Sequence, residues 1–234
     1  MTDYAARLDA AMLTATAVPQ FKAGFDVTAG YAIQQDVVAR RVARGERIAG
    51  IKLGLTSEAK MRQMGVHEAI WGRLTDAMQL SDGGTVELAK RIHPKVEPEV
   101  AFLVRGGTIA SIAPAIEVID SRYLGFKFTL PEVIADNTSA AAFVVGAWQP
   151  VPDGVEDLGV LMEINGRSAE KGNTSAILGD PRRAFDDALR LAGKLEDGWI
   201  VLAGAATAAL PLPAGATVQV TVEKLGSVSL RASS

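Results

Sequence analysis

Two glutamates stand two positions apart at the start of an apolar run, in the stretch Pro-Lys-Val-Glu-Pro-Glu-Val-Ala of residues 94–101. Side chains two apart on a β-strand point to the same face, so Glu97 and Glu99 are expected to present two carboxylates side by side. A third glutamate, Glu117, lies in another short apolar segment. Three carboxylates on one face suit a hard cation that keeps positions for water or substrate. The alternative is a solvated strand edge, with Glu117 paired to a lysine.

A lysine interrupts a glycine-flanked apolar strand, because Lys52 lies within Gly-Ile-Lys-Leu-Gly-Leu-Thr-Ser, residues 50–57. Lysine is rarely buried unless it is paired or functional. Lys52 is therefore a candidate for proton transfer or for binding a substrate carboxylate, with a pKa set by burial and by nearby anions. The alternative is that its aliphatic stem packs in the core while its ammonium reaches solvent.

A cluster of hydrogen-bonding side chains, residues 136–139, precedes a run of small apolar residues. Residues of these types commonly cap helices, and capping is the default interpretation of the cluster. The two histidines, His67 and His93, lack the spacing of a metal site, and we interpret them as non-ligands. The sequence contains no serine-hydrolase elbow, P-loop or Gly-x-Gly-x-x-Gly fingerprint.

The elements that would position these residues change period along the chain. Apolar residues recur at helical spacing over residues 5–17 and 28–44, and a short helix is predicted after Ser57. Most later segments are short and β-branched, which indicates strands, and Asn165-Gly166 predicts a hairpin turn. One late helix begins near Pro181. We therefore predict one α+β domain over residues 1–234, with a helical N-terminal portion (1–46) on a mainly antiparallel β core (47–234).

The bulk composition excludes several functional classes. The chain has 234 residues, 48% of them hydrophobic, which is enough for a sizeable core, and a formal net charge of −3 with dispersed basic residues. Nucleic-acid binding is therefore not expected. The absence of cysteine excludes disulfides and thiolate chemistry and is typical of a cytoplasmic protein. The sequence shows neither a signal-peptide pattern nor an apolar run near the roughly 20 residues of a membrane helix, so no membrane contact is expected.

Six motifs, spread in order over nearly the whole chain, resemble the hydratase/decarboxylase family of aromatic meta-cleavage pathways. They are residues 50–57, 94–101, 116–123, 134–139, 178–181 and 225–229. The resemblance implies a fumarylacetoacetase-like fold, a homo-oligomer and a small unsaturated 2-oxo acid as substrate.

The same resemblance assigns roles to individual residues. It implies a magnesium or manganese ion held by Glu97, Glu99 and Glu117. The active-site lysine and serine of the family correspond to Lys52 and Ser139. Substrate contacts are expected from Leu55, Ile70, Lys127 and Thr207.

Two branches of this family share these motifs. Hydratases add water to 2-hydroxypenta-2,4-dienoate, and decarboxylases produce that compound from 2-oxo-3-hexenedioate. The hydratases carry an aspartate where this chain has Ile70, so the acid/base group that hydration needs is missing and decarboxylation is expected. Apolar groups at Ile70 and Trp71 are expected to disfavour solvation of the leaving carboxylate. Residues 123, 126–128 and 207–209 also fit the decarboxylase pattern better, and hydration remains the alternative.

One departure from the family lies between Glu99 and Glu117. Family members have an additional segment with a helix there, whereas this chain crosses through Arg-Gly-Gly-Thr, residues 105–108. A tight turn still pairs the strands, but a helix that walls the pocket or makes an oligomer contact would be lost. The alternative to an enzyme is a non-catalytic subunit that binds a partner enzyme, because family decarboxylases associate with the hydratase. Retention of Lys52, the three glutamates and Ser139 favours an enzyme, with the hydratase as its expected partner.

Overall fold

A computed structural model describes residues 3–21, 24–57, 61–62, 65 and 67–234. The helices in these ranges are α1 (Tyr4–Thr14), α2 (Val27–Ala43), α3 (Leu130–Ala135) and α4 (Arg182–Ala192). The strands are β1 (Ile48–Gly54), β2 (Ile70–Thr75), β3 (Gln79–Leu80), β4 (Thr85–Val86), β5 (Lys95–Arg105), β6 (Thr108–Ile119), β7 (Ala140–Val145), β8 (Gly159–Ile164), β9 (Arg167–Asn173), β10 (Ile200–Leu202), β11 (Leu210–Pro211), β12 (Thr217–Val222) and β13 (Gly226–Ala232).

The strands form two sheets whose apolar faces meet in the core. The larger sheet has the order β2-β1-β10-β5-β6-β7-β3, with β11 added beside β5, and the smaller has the order β4-β13-β12-β8-β9. Most neighbours are antiparallel, whereas β1 with β10, β3 with β7 and β4 with β13 are parallel. Residues of both sheets, such as Phe102 of β5 and Val220 of β12, share one apolar cluster. The predicted α+β class with a mainly antiparallel β core is confirmed.

The N-terminal helices pack on the larger sheet through α3. A capping box between Thr129 and Glu132 begins α3. The Glu132 carboxylate also accepts hydrogen bonds from the Phe21 backbone N–H at 2.6 Å and from Gln20 Nε2 at 3.1 Å. This buried carboxylate fixes the segment after α1 against α3. No helix in the described ranges is long and apolar enough to cross a bilayer.

The predicted elements agree with the structure except at a few places. The two N-terminal helices appear as α1 and α2, and the Asn165-Gly166 turn joins β8 to β9. The short β-branched segments on either side of Pro114 form one continuous strand, β6, which accommodates the proline. Strands β2 and β7 were not predicted from the sequence. Most of the short helix predicted after Ser57 lies outside the described residues.

Candidate metal centre and active-site cavity

Three glutamates meet on one face of the β5–β6 hairpin. Glu97 lies directly opposite Glu117 in the strand register, and Glu99 is two residues further along the same face of β5. One carboxylate oxygen from each lies within 4.8 Å of the others, and all three side chains are buried. The structure therefore brings together the three glutamates that the sequence singled out. Of the alternative, the solvated strand edge is not observed, whereas the pairing of Glu117 with a lysine is.

Lys52 supplies the counter-charge at this cluster from strand β1. Its Nζ lies 2.9 Å from Glu117 Oε2 and donates a hydrogen bond to the Thr138 carbonyl oxygen at 3.2 Å. The lysine is only 3% exposed, so its ammonium does not reach solvent. Burial disfavours the ammonium, but the attraction of the three glutamates outweighs burial and raises the pKa of Lys52. Lys52 is therefore a charged group inside the protein.

The two deepest carboxylates are poorly compensated. Burial, reinforced by repulsion from Glu117, raises the pKa of Glu99 well above its usual value. Burial also raises the pKa of Glu117, although Lys52 acts in the opposite direction. Glu99 Oε2 accepts a hydrogen bond from the Gly204 N–H at 2.8 Å. In the described part of the chain, Glu99 Oε1 and Glu117 Oε1 accept none.

This cluster fits a hard divalent cation. Three ionised carboxylates and one ammonium carry a formal charge of −2, which such an ion neutralises. Magnesium binds oxygen at about 2.1 Å, so opposite ligands around it lie about 4.2 Å apart. The three oxygens lie within 4.8 Å of one another, which is close to this span. A set made only of oxygen ligands favours Mg²⁺ or Mn²⁺ over softer metals.

The turn that follows α3 adopts an unfavourable backbone conformation beside Lys52. Asn137, Thr138 and Ser139 have φ values of 49°, 52° and 58°. A left-handed residue other than glycine costs roughly 1–2 kcal/mol, so three in a row must be held by tertiary contacts. The sequence cluster at 136–139 is therefore more than a helix cap.

Strand β2 provides these contacts. The Asn137 side chain accepts a hydrogen bond from Arg73 N at 2.7 Å and donates one to Arg73 O at 2.9 Å. Thr138 Oγ1 donates to Trp71 O at 2.9 Å. A Cβ added at Gly72 would lie 2.6 Å from the Asn137 carbonyl oxygen, so only glycine permits this approach. The turn directs the Thr138 carbonyl at Lys52 and places Ser139 in the cavity wall.

A buried ion pair holds the beginning of the same turn. The Asp136 carboxylate pairs with the Arg122 guanidinium, which also donates to the carbonyl oxygens of Asp120 and Ala140 at 2.8 and 3.0 Å. Burial raises the pKa of Asp136 to about 6, although Arg122 opposes the shift. Ser139 Oγ is itself buried and has no hydrogen-bond partner in the described ranges, so it can bond a ligand in the cavity.

A cavity of about 620 Å³ opens over the cluster, a volume typical of small-molecule sites. Lys52, Glu97 and Ser139 line its inner end, and exposed Lys127 lies at its mouth. Its remaining wall is mostly apolar and includes Leu55, Ile70, Phe126, Phe128 and Val133.

Most of the predicted substrate residues line this cavity. Leu55, Ile70 and Lys127 do, whereas Thr207 does not, and its hydroxyl donates to the Ala208 carbonyl oxygen at 3.1 Å. Neighbouring Ala205 and Ala209 take its place in the wall.

The prediction for Trp71 is wrong, because consecutive residues of β2 face opposite sides and Trp71 stacks on Tyr31 with ring centroids 5.4 Å apart. Sequence reasoning missed Lys95 and Gln20, both of which line the cavity. Lys95 could have been found from the period of two, since it precedes Glu97 on the same face of β5.

The short turn between β5 and β6 lies far from the cavity. Gly106 and Gly107 have φ values of 59° and 72°, as a two-residue hairpin turn requires. Arg105 lies eight positions after Glu97, which is roughly 26 Å of extended strand. None of residues 105–108 lines the cavity. The shortened segment therefore leaves this cavity wall intact.

The fold and the buried acidic cluster define a metal-dependent enzyme of the fumarylacetoacetase-like class. No protein-family model matches the sequence. A protein named 4-oxalocrotonate decarboxylase from a Pseudomonas species is 46% identical over 96% of this chain and 95% of its own length. A protein named 2-keto-4-pentenoate hydratase from Paraburkholderia phymatum is 35% identical over 87% of this chain and 85% of its own length.

A solved structure is similar to this chain over almost its whole length. The 4-oxalocrotonate decarboxylase from Pseudomonas putida G7, complexed with magnesium and adipate, superimposes with a TM-score of 0.90 at 35% identity. The match covers 97% of this chain and 95% of the other. The chain belongs to the hydratase/decarboxylase family of lyases, as its motifs predicted.

We predict that Glu99→Gln raises the midpoint of thermal unfolding of the metal-free protein, because a neutral amide replaces a buried and poorly compensated carboxylate. Magnesium should stabilise the parent protein by binding only the folded state, and this response should be largely lost in the variant. Burial raises the pKa of Glu99 and magnesium binds the ionised carboxylate, so the affinity of the parent protein for magnesium should rise with pH. Thermal unfolding with and without MgCl₂ measures these effects.

The matched control is Glu196→Gln, which changes an exposed glutamate and should keep the magnesium response of the parent. An undiminished magnesium response in Glu99→Gln would contradict the assignment of the metal ligands.

Proposed function

We propose that this protein is a magnesium-dependent decarboxylase that converts 2-oxo-3-hexenedioate (4-oxalocrotonate) to 2-hydroxypenta-2,4-dienoate and carbon dioxide. The observation that carries the proposal is Ile70 in the wall of a cavity that Lys52 and Glu97 also line, with the buried Glu99 and Glu117 clustered beside Glu97. The higher identity to a decarboxylase (46%) than to a hydratase (35%) supports the same choice. Manganese would fit the same oxygen ligands.

The proposed site uses the whole chain as one catalytic domain. Gln20 from the N-terminal portion and Ala209 from the C-terminal part line the same cavity. We propose a cytoplasmic homo-oligomer, and we propose that it associates with a hydratase because its product is the substrate of the hydratase branch. Light scattering of the purified protein tests the homo-oligomer, and light scattering of a mixture with a family hydratase tests the association.

Glu97, Glu99 and Glu117 are the proposed metal ligands. When bound, the ion supplies Lewis-acid withdrawal of charge from the 2-oxo group of the substrate. Because Lys52 carries a buried positive charge at the inner end of the cavity, it is suited to bind the C1 carboxylate or to exchange a proton at the 2-oxygen. Ser139 Oγ is proposed to donate a hydrogen bond to the same end of the substrate.

At the other end, the bond between C5 and the C6 carboxylate breaks, and its electrons move through the conjugated chain toward the 2-oxygen. Interactions with the 2-oxygen that strengthen as its negative charge develops lower the activation barrier of decarboxylation. Leu55, Ile70 and Lys127 are the proposed substrate contacts. Ile70 offers no proton, which decarboxylation does not require and hydration does. A contact from Thr207 remains a prediction and needs the 205–209 segment to rearrange.

We expect the purified protein with MgCl₂ to release carbon dioxide from 2-oxo-3-hexenedioate and to hydrate 2-hydroxypenta-2,4-dienoate poorly or not at all. The two substrates are compared side by side by ultraviolet absorbance and carbon dioxide release, with EDTA-treated protein as the control. Hydration without decarboxylation would assign the chain to the hydratase branch. Neither reaction, with magnesium bound, would contradict both assignments and favour the non-catalytic subunit.

We expect Lys52→Met to lower kcat/KM for 2-oxo-3-hexenedioate by about a hundredfold or more, because it removes the charge that faces the developing negative oxygen. The measurement is made at saturating magnesium, so that loss of the lysine is separated from loss of the metal. Lys171→Met, which changes an exposed lysine on β9, is the matched control and should retain parent activity. Activity of Lys52→Met within a few fold of the parent would show that Lys52 only compensates the glutamates.

A further inference from the structure

Lys95 is a cationic side chain of the cavity without an acidic partner among the described residues. Lys95, the first residue of β5, is half-buried and lines the cavity. Its Nζ lies over the Phe126 ring, 4.4 Å from the ring centroid. With the residues that the structure describes, Lys95 forms neither an ion pair nor a side-chain hydrogen bond. Lys52, by contrast, is already paired with Glu117.

The position of Lys95 relative to the metal cluster follows from the strand. Lys95, Glu97 and Glu99 are alternate residues of β5 and therefore lie on the same face of the strand. Two residues of extended strand span roughly 7 Å between Cα atoms, which is comparable to the length of a six-carbon substrate. The cavity therefore has an acidic inner end and a cationic residue further along the same strand. The wall near this group includes Phe126 and Phe128, with ring centroids 6.2 Å apart.

The contact with Phe126 restricts where the ammonium can go. A ring face holds a cation at short range but satisfies none of its hydrogen-bond donors. The Phe126 ring is itself packed at a tilt against His93, with centroids 4.8 Å apart. Lys95 is thus held in the cavity with donors available, and an anion is the ligand that such a group binds most strongly.

We propose that Lys95 is a specificity-determining residue that binds the distal carboxylate of a six-carbon 2-oxo dicarboxylate. This inference rests on the proposed function for the orientation of the substrate, with its 2-oxo acid end at the three glutamates. The distal carboxylate is the group that leaves as carbon dioxide, so the product lacks the contact with Lys95. The enzyme would therefore favour the dicarboxylate over the monocarboxylate product.

Two unreactive ligands isolate this contact. The compounds 2-oxoadipate and 2-oxohexanoate share the 2-oxo acid end, and only the first has a distal carboxylate. Calorimetric titration of the magnesium-loaded protein should give a Kd for 2-oxoadipate about tenfold or more below that for 2-oxohexanoate. Lys95→Met should remove most of this ratio and leave the Kd of 2-oxohexanoate within about threefold of the parent value.

Further variants separate this role from a structural one. Lys95→Arg keeps the charge and should restore at least part of the ratio, and Lys90→Met, which changes an exposed lysine, should retain the parent ratio. The inference is overturned if Lys95→Met weakens both ligands equally or leaves the ratio unchanged. It is also overturned if Lys127→Met, and not Lys95→Met, removes the ratio.

The outcome is independent of the turnover assay. If the parent protein fails to release carbon dioxide but the dicarboxylate preference depends on Lys95, the proposed reaction is wrong and the binding role is supported. If carbon dioxide is released and Lys95→Met keeps the preference, only the role of Lys95 is wrong.

Discussion

The burial of three carboxylates at one point of a hairpin is the constraint on which the site depends. Glu97 and Glu117 are cross-strand neighbours, and Glu99 shares their face, so the register of β5 and β6 forces like charges together. Charges removed from water are costly unless they are compensated. Compensation comes from Lys52 of β1 and from the Gly204 N–H after β10. The hairpin alone would not be a stable arrangement at neutral pH.

The surrounding backbone is shaped by the need to bring these groups together. A Cβ at Gly204 would lie 2.1 Å from Thr56 Oγ1, and one at Gly54 would lie 2.8 Å from Thr138 Cγ2. Gly204 therefore allows the segment after β10 to approach Thr56 closely, and Gly54 allows β1 to approach Thr138. The left-handed turn Asn137–Ser139 has a cost that its contacts with β2 offset. Strain of this kind is typical of functional sites, and here it orients a carbonyl and a hydroxyl.

Much of this arrangement was predictable because it follows local rules. The period of two identified the common face of Glu97 and Glu99, and a charged residue in an apolar strand identified Lys52. The family motifs supplied Ser139, which looks like a cap in isolation. The same period also explains both Lys95, which faces the cavity, and Trp71, which faces away from it. Lys95 was missed because the alternation of β5 was not extended before Glu97. Trp71 was expected at the cavity because β2 was not predicted as a strand.

What the sequence could not supply depends on long-range contacts. Pairing of β1 with β10, and of β10 with β5, places Lys52 near the glutamates, although 65 positions separate it from Glu117. Strand β7 begins with three alanines, which have little strand propensity, and its pairing with β6 decides their conformation. From the sequence, the shortened 105–108 segment was expected to remove part of the pocket wall. The hairpin is long enough to place this turn at the end of β5 and β6 that is remote from the glutamates.

One divalent cation would complete the charge balance of the three glutamates. Anomalous diffraction from crystals grown with MnCl₂ tests it most directly. We predict a single strong peak in the cavity, at about 2.1–2.3 Å from one oxygen each of Glu97, Glu99 and Glu117. A manganese ion bound elsewhere, or an acidic cluster that excludes the ion while Lys52 stays paired with Glu117, would contradict the account.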